Sequence, residues 1–303
     1  DPASDAFHVK LAKLHFAEGR YAEARDAYRN AVRLNPSASN QFSLGQAYLQ
    51  LEEFIQAENA FQQVQRLEPG EPAGYYGLGQ TYARMERYDA ALSQFEAAIQ
   101  RDDTFFSAYA ELGYTYADMG RIEDAQAMVA ELEDEAPELA DTLARYIYKT
   151  DTPKIMFASA TSSFLYTMPM RTPLSSLDSY LANAGASVTF KMEFQFDKEM
   201  DRESVENRFN WEISRASGSG PGNQYNFGFA IPDTEVMPPA IPDYIYYDAR
   251  NLRAVVAFSL TQNDTADGTI DPSHIAFKFK GEDKFGNRMD PNADEFTGFS
   301  RVI

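Results

Sequence analysis

The sequence has no cysteine among its 303 residues. This absence excludes disulfide bonds, thiol nucleophiles, zinc–thiolate sites and iron–sulfur clusters. Histidine is scarce as well, with three residues in the whole chain. Three histidines offer few residues for a metal site or a catalytic site. We therefore expect a protein that is not an enzyme.

Basic residues are few relative to acidic ones. The chain has 27 Lys and Arg against 46 Asp and Glu, which gives a net charge of −19. A field of this sign repels the phosphate backbone of nucleic acids and anionic membrane surfaces. Charged residues also interrupt the apolar runs well before the roughly 18 residues that a membrane-spanning helix needs. We therefore expect neither a nucleic-acid partner nor a membrane span.

The chain does have enough apolar material for a folded core and enough length for two domains. Hydrophobic residues make up 44% of it and aromatic residues 14%, which is too much for a disordered chain. A length of 303 residues predicts about two domains. The sequence pattern changes near residue 150, so we expect one domain over residues 1–150 and a second over residues 151–303.

A repeat occupies the first half of the chain. The string Leu-Gly-x-x-Tyr begins at Leu44, Leu78 and Leu112, in two steps of 34 residues. A second motif, an alanine with a large apolar residue four positions later, begins at Ala57, Ala91 and Ala125. These motifs resemble the tetratricopeptide repeat, a helix-turn-helix unit, over about residues 5–139. The resemblance implies an all-α solenoid of about four repeats with a concave binding surface.

Small residues and a terminal stripe predict how the repeats pack. Gly45, Gly79 and Gly113 allow the first helix of each repeat to lie close against a second helix. After Pro137, apolar residues recur with a helical period. This pattern predicts a capping helix over residues 138–149, which covers the apolar edge of the last repeat.

The second half shows the alternation of β-strands. Every second residue of the segment 187–196 is large and apolar, as in a strand with one solvated face. Further strands are expected over 154–158, 253–258 and 275–280. Together these segments predict an all-β antiparallel sandwich after the helical half, and so a multidomain α + β protein.

Two turn motifs accompany the strands. One runs from Phe196 to Asp201 (Phe-Asp-Lys-Glu-Met-Asp), and the other runs from Asp283 to Asn287 (Asp-Lys-Phe-Gly-Asn). In this order they resemble the bacterial Ig-like domains of surface-layer and adhesin-type proteins over about residues 186–299. The resemblance implies a non-catalytic structural module of an extracytoplasmic protein, located in the periplasm, on the cell surface or outside the cell.

The helical phase of the repeats places a set of side chains toward the concave surface. They are Lys13, Phe42, Gln46, Leu49, Tyr76, Gln80, Arg84 and Tyr114. An alternative interpretation assigns Phe42 and Tyr76 to packing between repeats.

This surface predicts a scaffold that binds a protein or peptide partner, with the Ig-like domain as a spacer or second docking surface. We expect such a scaffold in the bacterial cell envelope or exterior. The alternative is a self-assembling extracellular filament or surface-layer subunit, whose partner is a further copy of the chain.

One loop has oxygen donors at a spacing similar to the start of an EF-hand loop. The donors are Asn263, Thr265, Asp267, Thr269 and Asp271. The twelfth position is His274 instead of a glutamate, so a polar hairpin turn is the main expectation and a calcium site the alternative. No other cofactor is expected. Ser273 and His274 also follow an aspartate, but no nucleophile-elbow motif supports a catalytic triad.

The C-terminal segment 296–303 has four large apolar residues in eight. Such a segment is a poor solvated tail. We expect it to be the closing strand of the chain's own sandwich, and the alternative is that it adds as a strand to the sheet of a neighbouring copy.

Overall fold

The computed structural model describes residues 4–220 and 223–299. The chain forms two compact units, of which the first ends at Asp151 and the second begins at Thr152. Within the described ranges, every helix is too short or too polar to cross a lipid bilayer.

Paired helices build the first unit. They are α1 Asp5–Ala17, α2 Tyr21–Leu34, α3 Ala38–Gln50, α4 Phe54–Leu67, α5 Ala73–Arg84, α6 Tyr88–Ile99, α7 Phe106–Asp118, α8 Ile122–Leu132 and α9 Pro137–Thr150. Each helix packs against the next, while α3 also contacts α5, α5 contacts α7, and α7 contacts α9. The odd-numbered helices therefore form one layer and the even-numbered helices a second. The predicted helix pairs are confirmed, and α9 is the predicted capping helix.

Close packing around aromatic rings holds the repeats together. The side chain of Phe61 in α4 is fully buried. A Cβ atom added to Gly45 of α3 would lie 2.7 Å from the Phe61 ring, and one added to Gly77 of α5 would lie 2.6 Å from its Cγ atom. The next repeat has the same contact, because a Cβ atom at Gly79 would lie 2.5 Å from the ring of Phe95. The small residues of the repeat thus make room for the large ones.

Antiparallel strands dominate the second unit. They are β1 Ile155–Ala160, β2 Thr172–Pro173, β3 Ser187–Phe196, β4 Trp211–Arg215, β5 Tyr244–Asp248, β6 Arg253–Thr261, β7 Thr269–Ile270, β8 Ile275–Phe279 and β9 Glu295–Phe296, with the short helices α10 Leu174–Leu177 and α11 Arg202–Glu206. One sheet has the order β1-β3-β6-β5, a second has the order β4-β8-β9, and β2 pairs with β7. The predicted β-rich half with antiparallel sheets is confirmed.

Aromatic side chains fill the space between the two larger sheets. The ring of Phe194 on β3 lies 5.1 Å from that of Trp211 on β4 and 5.4 Å from that of Phe277 on β8. Phe196 makes a similar contact with Phe279, at 5.5 Å. These pairs explain the alternation along β3, since its apolar side chains face the second sheet.

A buried ion pair joins the two turn motifs of this unit. Nζ of Lys198 lies 2.8 Å from Oδ2 of Asp283, and their side chains are 2% and 0% exposed. The Asp283 carboxylate also accepts hydrogen bonds from the backbone N–H groups of Phe285 and Asn287. Burial raises the pKa of Asp283, but the bonds from Lys198 and Asn287 lower it by more, so the net pKa lies below the usual aspartate value. The carboxylate therefore stays ionised inside the fold.

The start of the C-terminal segment belongs to the chain's own sheet. Phe296 of β9 pairs with Phe277 of β8, and the backbone N–H of Gly298 donates to the carbonyl of Ser273 at 2.9 Å. For Phe296 the prediction of a closing strand is confirmed. Residues 300–303, which the prediction also covered, lie outside the described residues.

Candidate binding surface on the helical repeats

A row of polar side chains crosses three successive repeats. Gln46 of α3 donates from Nε2 to Oε1 of Gln80 of α5, at 2.9 Å. Gln80 in turn donates from Nε2 to Oε1 of Glu111 of α7, at 2.9 Å. All three side chains are half-buried. We call Gln46, Gln80 and Glu111 the polar row; it links the odd-numbered helices on one face.

Tyr76 combines packing with a place beside this row. Its ring packs edge-on against Phe105 at 5.0 Å, while its hydroxyl accepts a hydrogen bond from Gln80 at 3.0 Å and donates to Glu111 at 3.4 Å. Burial raises the pKa of the Tyr76 hydroxyl, and the Glu111 carboxylate raises it further. The hydroxyl therefore remains protonated at neutral pH. Its ring thus packs between repeats, and its hydroxyl bonds to two members of the polar row.

Two further tyrosines extend the same face toward the capping helix. The rings of Tyr114 on α7 and Tyr146 on α9 meet edge-on at 5.0 Å. The Tyr146 hydroxyl donates to Asp118. Burial raises the pKa of Tyr146, as does its bond to the Asp118 carboxylate. This end of the face thus has protonated tyrosines next to an aspartate.

Four of the residues expected on the binding surface do not belong to the polar row. Leu49 is only 3% exposed and packs in the core with Phe61, so its assignment to the surface was wrong: its position on α3 faces α4. Phe42 is half-buried, with its ring edge-on to Phe61 at 5.5 Å, and serves packing. Arg84 is exposed and pairs with Glu52 at 3.5 Å. Lys13 is exposed on α1.

Three residues of this surface were not predicted from the sequence. Glu111 stands immediately before a Leu-Gly pair, where the preceding repeats have Ser43 and Gly77. No periodic signal therefore identifies it. Asp118, at the end of α7, was missed together with its partner Tyr146, because the last helix was interpreted only as a cap. The apolar stripe of that helix lies directly beside Tyr146, and this position could have predicted that Tyr146 packs near the last repeat.

The loop with EF-hand-like spacing does not gather its five oxygen donors. Asp267 accepts hydrogen bonds from Asn263 and Thr265. Thr269 lies in β7 and donates to a glutamate of a neighbouring segment, and Asp271 is fully buried. The alternative calcium ligand set therefore fails at Thr269 and Asp271, because their side chains form hydrogen bonds with other segments. Across the described parts of the chain, no cluster of three or more His, Asp or Glu could hold a metal ion.

The buried carboxylate of Asp271 faces a histidine. Nδ1 of His274 lies 2.6 Å from Oδ2 of Asp271 and 3.2 Å from Oγ of Ser273. A catalytic triad needs its acid and its nucleophile on opposite ring nitrogens. Here both groups face the same nitrogen, and the rings of Phe227 and Phe299 pack against the imidazole at 4.6 and 4.4 Å. This cluster is a polar group within the core and lacks the geometry of a triad.

Comparison with known proteins identifies the repeats of the helical half. Models described as tetratricopeptide repeat match residues 6–38, 42–104 and 82–146. None of the curated proteins matches the chain.

Among solved structures, the chain is similar to YrrB, described as a TPR protein with an unusual peptide-binding site. The two sequences are 24% identical and the TM-score is 0.40. The aligned region covers 48% of this chain and 76% of YrrB. It is also similar to TTC0263, a thermophilic TPR protein of Thermus thermophilus, at 23% identity and a TM-score of 0.43, covering 47% and 81%. The similarity to MamA has 27% identity and a TM-score of 0.40, covering 48% and 84%. From the matching family models and the paired helices, the N-terminal half of this chain carries tetratricopeptide repeats, which are protein-interaction modules.

Proposed function

We propose that the chain is a non-enzymatic scaffold that binds an extended segment of a protein or peptide partner along the polar row. The observation that carries this proposal is the hydrogen-bonded series Gln46–Gln80–Glu111 across α3, α5 and α7. A primary amide has both donors and an acceptor, as a peptide group has. Glutamines one repeat apart that bond to each other in the free protein can exchange those bonds for bonds to a partner's backbone.

The charges beside the row favour a basic partner. Glu111 and Asp118 place two carboxylates on this face, and Arg84, the nearest cation on α5, is already paired with Glu52. Tyr114 and Tyr146 add aromatic faces, which contribute strongly to interfaces. The partner segment is therefore extended, carries Lys or Arg, and has apolar side chains near the tyrosines.

The second unit supplies a spacer or a second docking surface in this proposal. Its resemblance to bacterial Ig-like domains is supported by the contact between its two turn motifs through Lys198 and Asp283. An Ig-like module of this kind favours a location in the cell envelope or outside the cell. The alternative function, a self-assembling filament or surface-layer subunit, is favoured by the opposite net charges at the two ends of the repeats. Residues 5–34 (α1 and α2) carry +2, and residues 122–150 (α8 and α9) carry −6.

A positional-scanning library of short peptides tests the binding proposal. The full chain should select basic residues at fixed positions, and Gln80→Ala should weaken binding of the selected peptides at least about tenfold. Gln94→Ala is the matched control, because Gln94 forms a similar pair with Gln65, at 3.1 Å, on the even-numbered helices. Equal losses in the two variants, or no selection by the wild-type chain, would contradict the proposal.

A further inference from the structure

Charge is distributed unevenly along the repeats. Residues 5–34, which form α1 and α2, have six basic and four acidic side chains, a net charge of +2. Residues 122–150, which form α8 and α9, have two basic and eight acidic side chains, a net charge of −6. The repeats therefore have a positive first helix pair and a strongly negative last pair, although the whole chain carries −19.

Arginines concentrate at a depression between α2 and α3. Arg29 and Arg33 are one helical turn apart and line a depression of about 630 Å³ together with Asp26, Asn30 and Tyr48. The side chain of Arg29 is 61% exposed. Its contact with Asp26 is long, at 3.7 Å, and Asp26 is shared with another arginine. We call Arg29, Asn30, Arg33 and Tyr48 the arginine patch.

The opposite charge concentrates where α8 joins α9. Residues 131–141 have six carboxylates and no Lys or Arg. The six are Glu131, Glu133, Asp134, Glu135, Glu138 and Asp141, and all are exposed. In the parts of the chain that the structure describes, none of them forms an ion pair. We call residues 131–141 the acidic corner.

We propose that the acidic corner of one copy of the chain docks against the arginine patch of a second copy. The two surfaces cannot meet within one chain, because α2 packs against α1 and α3 while the corner follows α8, with five helices between them. Arg29 and Arg33 offer forked donors that match carboxylates. The amide of Asn30 and the hydroxyl of Tyr48 are further donors in the same depression.

This contact joins two different surfaces, so it is heterologous. Each copy that docks leaves one patch and one corner unoccupied, and growth continues until a ring closes or an open chain forms. The contact is ionic, and salt weakens it, since the Debye length is about 10 Å at about 0.1 M. If the copies associated through apolar surfaces instead, salt would strengthen their association, because it screens the repulsion between two acidic chains.

Sedimentation velocity of the full chain at about 0.05 M and about 0.5 M sodium chloride tests the proposal. We expect association that grows with protein concentration in low salt and disappears in high salt. The patch variant Arg29→Gln/Arg33→Gln and the corner variant Glu133→Gln/Glu135→Gln should each lower the association constant at least about tenfold. Arg66→Gln is the matched control, because Arg66 of α4 occupies the repeat position of Arg33 and should have no effect.

Mixing the two double variants gives the sharpest result. The intact corner of the patch variant can dock on the intact patch of the corner variant, but no further copy can add. A heterologous contact therefore predicts dimers in the mixture and monomers in each variant alone. A wild-type chain that stays monomeric in low salt, associates more strongly in high salt, or loses association with Arg66→Gln overturns the proposal. Peptide selection by the polar row should persist in both double variants, which separates this test from that of the proposed function.

Discussion

Replacing Gly77 of α5 with alanine adds one methyl group at a contact that has no room for it. The new Cβ atom would lie 2.6 Å from Cγ of Phe61 and closer still to Cδ1 and Cε1, whereas carbon atoms in contact are about 3.5–4.0 Å apart. The ring cannot move away. Gly45 of α3 also lies against it, and Phe42 packs edge-on against it at 5.5 Å.

Two opposing effects decide how much Gly77→Ala changes the free energy of unfolding. Alanine stabilises a helix relative to glycine by about 0.5–1 kcal/mol. Overpacking a buried site costs about 1–3 kcal/mol, and the upper end applies here because the overlap exceeds about 1 Å against a fully buried ring that Gly45 and Phe42 also contact. We therefore expect Gly77→Ala to lower the free energy of unfolding of the repeats by about 2 kcal/mol.

A second substitution provides the internal check. Phe61→Ala removes the whole ring, Cγ and Cδ1 included, so in that background Gly77→Ala should be neutral or stabilising by up to about 1 kcal/mol. The coupling between the two sites is then about 2–3 kcal/mol. Urea unfolding followed by far-ultraviolet circular dichroism measures it, because the helical signal comes mainly from the first unit. Gly70→Ala is the control, since a Cβ atom there meets nothing within 4 Å.

Either of two results would contradict this account of the Phe61 contact. A neutral or stabilising Gly77→Ala in the wild-type background would mean that the Phe61 ring is not held between α3 and α5. Additive effects of Gly77→Ala and Phe61→Ala would mean that the clash does not involve this ring.

Further substitutions test the core, the ion pair and the loop. Leu78→Ala, at a position 3% exposed, should lower the free energy of unfolding by about 2–5 kcal/mol in urea, and a loss below about 1 kcal/mol would refute the repeat register. Lys198→Met leaves the Asp283 carboxylate buried without its cation and should destabilise the second unit by about 3–5 kcal/mol near neutral pH, as measured by thermal unfolding. Because the pKa of folded Asp283 is depressed, its ionised form stabilises the wild-type fold above the ordinary aspartate pKa of about 3.8, and that stability is lost as the pH falls below this value. Stability of the wild type that does not change between pH about 5 and about 2 would contradict this assignment. Calorimetric titration should show no Ca²⁺ binding tighter than about 0.1 mM, and submicromolar binding that Asp267→Ala abolishes would prove this wrong.

The helical half could be predicted because its contacts are local and repeat. Gly45 packs on Phe61, sixteen residues later, and Gly79 packs on Phe95 at the same separation. A contact that recurs at a fixed spacing leaves a periodic pattern in the sequence, and Gln46 and Gln80 follow the same period. Glu111 does not, so the sequence pattern predicts the two glutamines of the polar row but not the carboxylate that completes it.

In the β-rich half the strands could be predicted but not their partners. The alternation along β3 identifies the face that is buried, yet its partner β6 begins 57 residues after β3 ends. Asp271 shows how a distant partner can defeat a prediction from local spacing. Its spacing from Asn263 was typical of a calcium loop, but its carboxylate accepts a hydrogen bond from the backbone N–H of Asn226, in a distant segment. Long-range contacts of this kind set the direction of a side chain and leave no signal in the local spacing.

The two proposed surfaces of the repeats can act independently. The polar row lies on the odd-numbered helices, whereas the arginines of the patch project from α2, and the repeats of a solenoid transmit changes mainly to their neighbours. The acidic corner of a second copy is also a poor occupant of the row, because Glu111 and Asp118 would face its carboxylates, and like charges brought together destabilise an interface. A basic peptide and a second copy therefore select different faces by charge. Gln80→Ala should leave the sedimentation of the chain unchanged, and a loss of self-association in that variant would mean that the row itself forms the contact between copies.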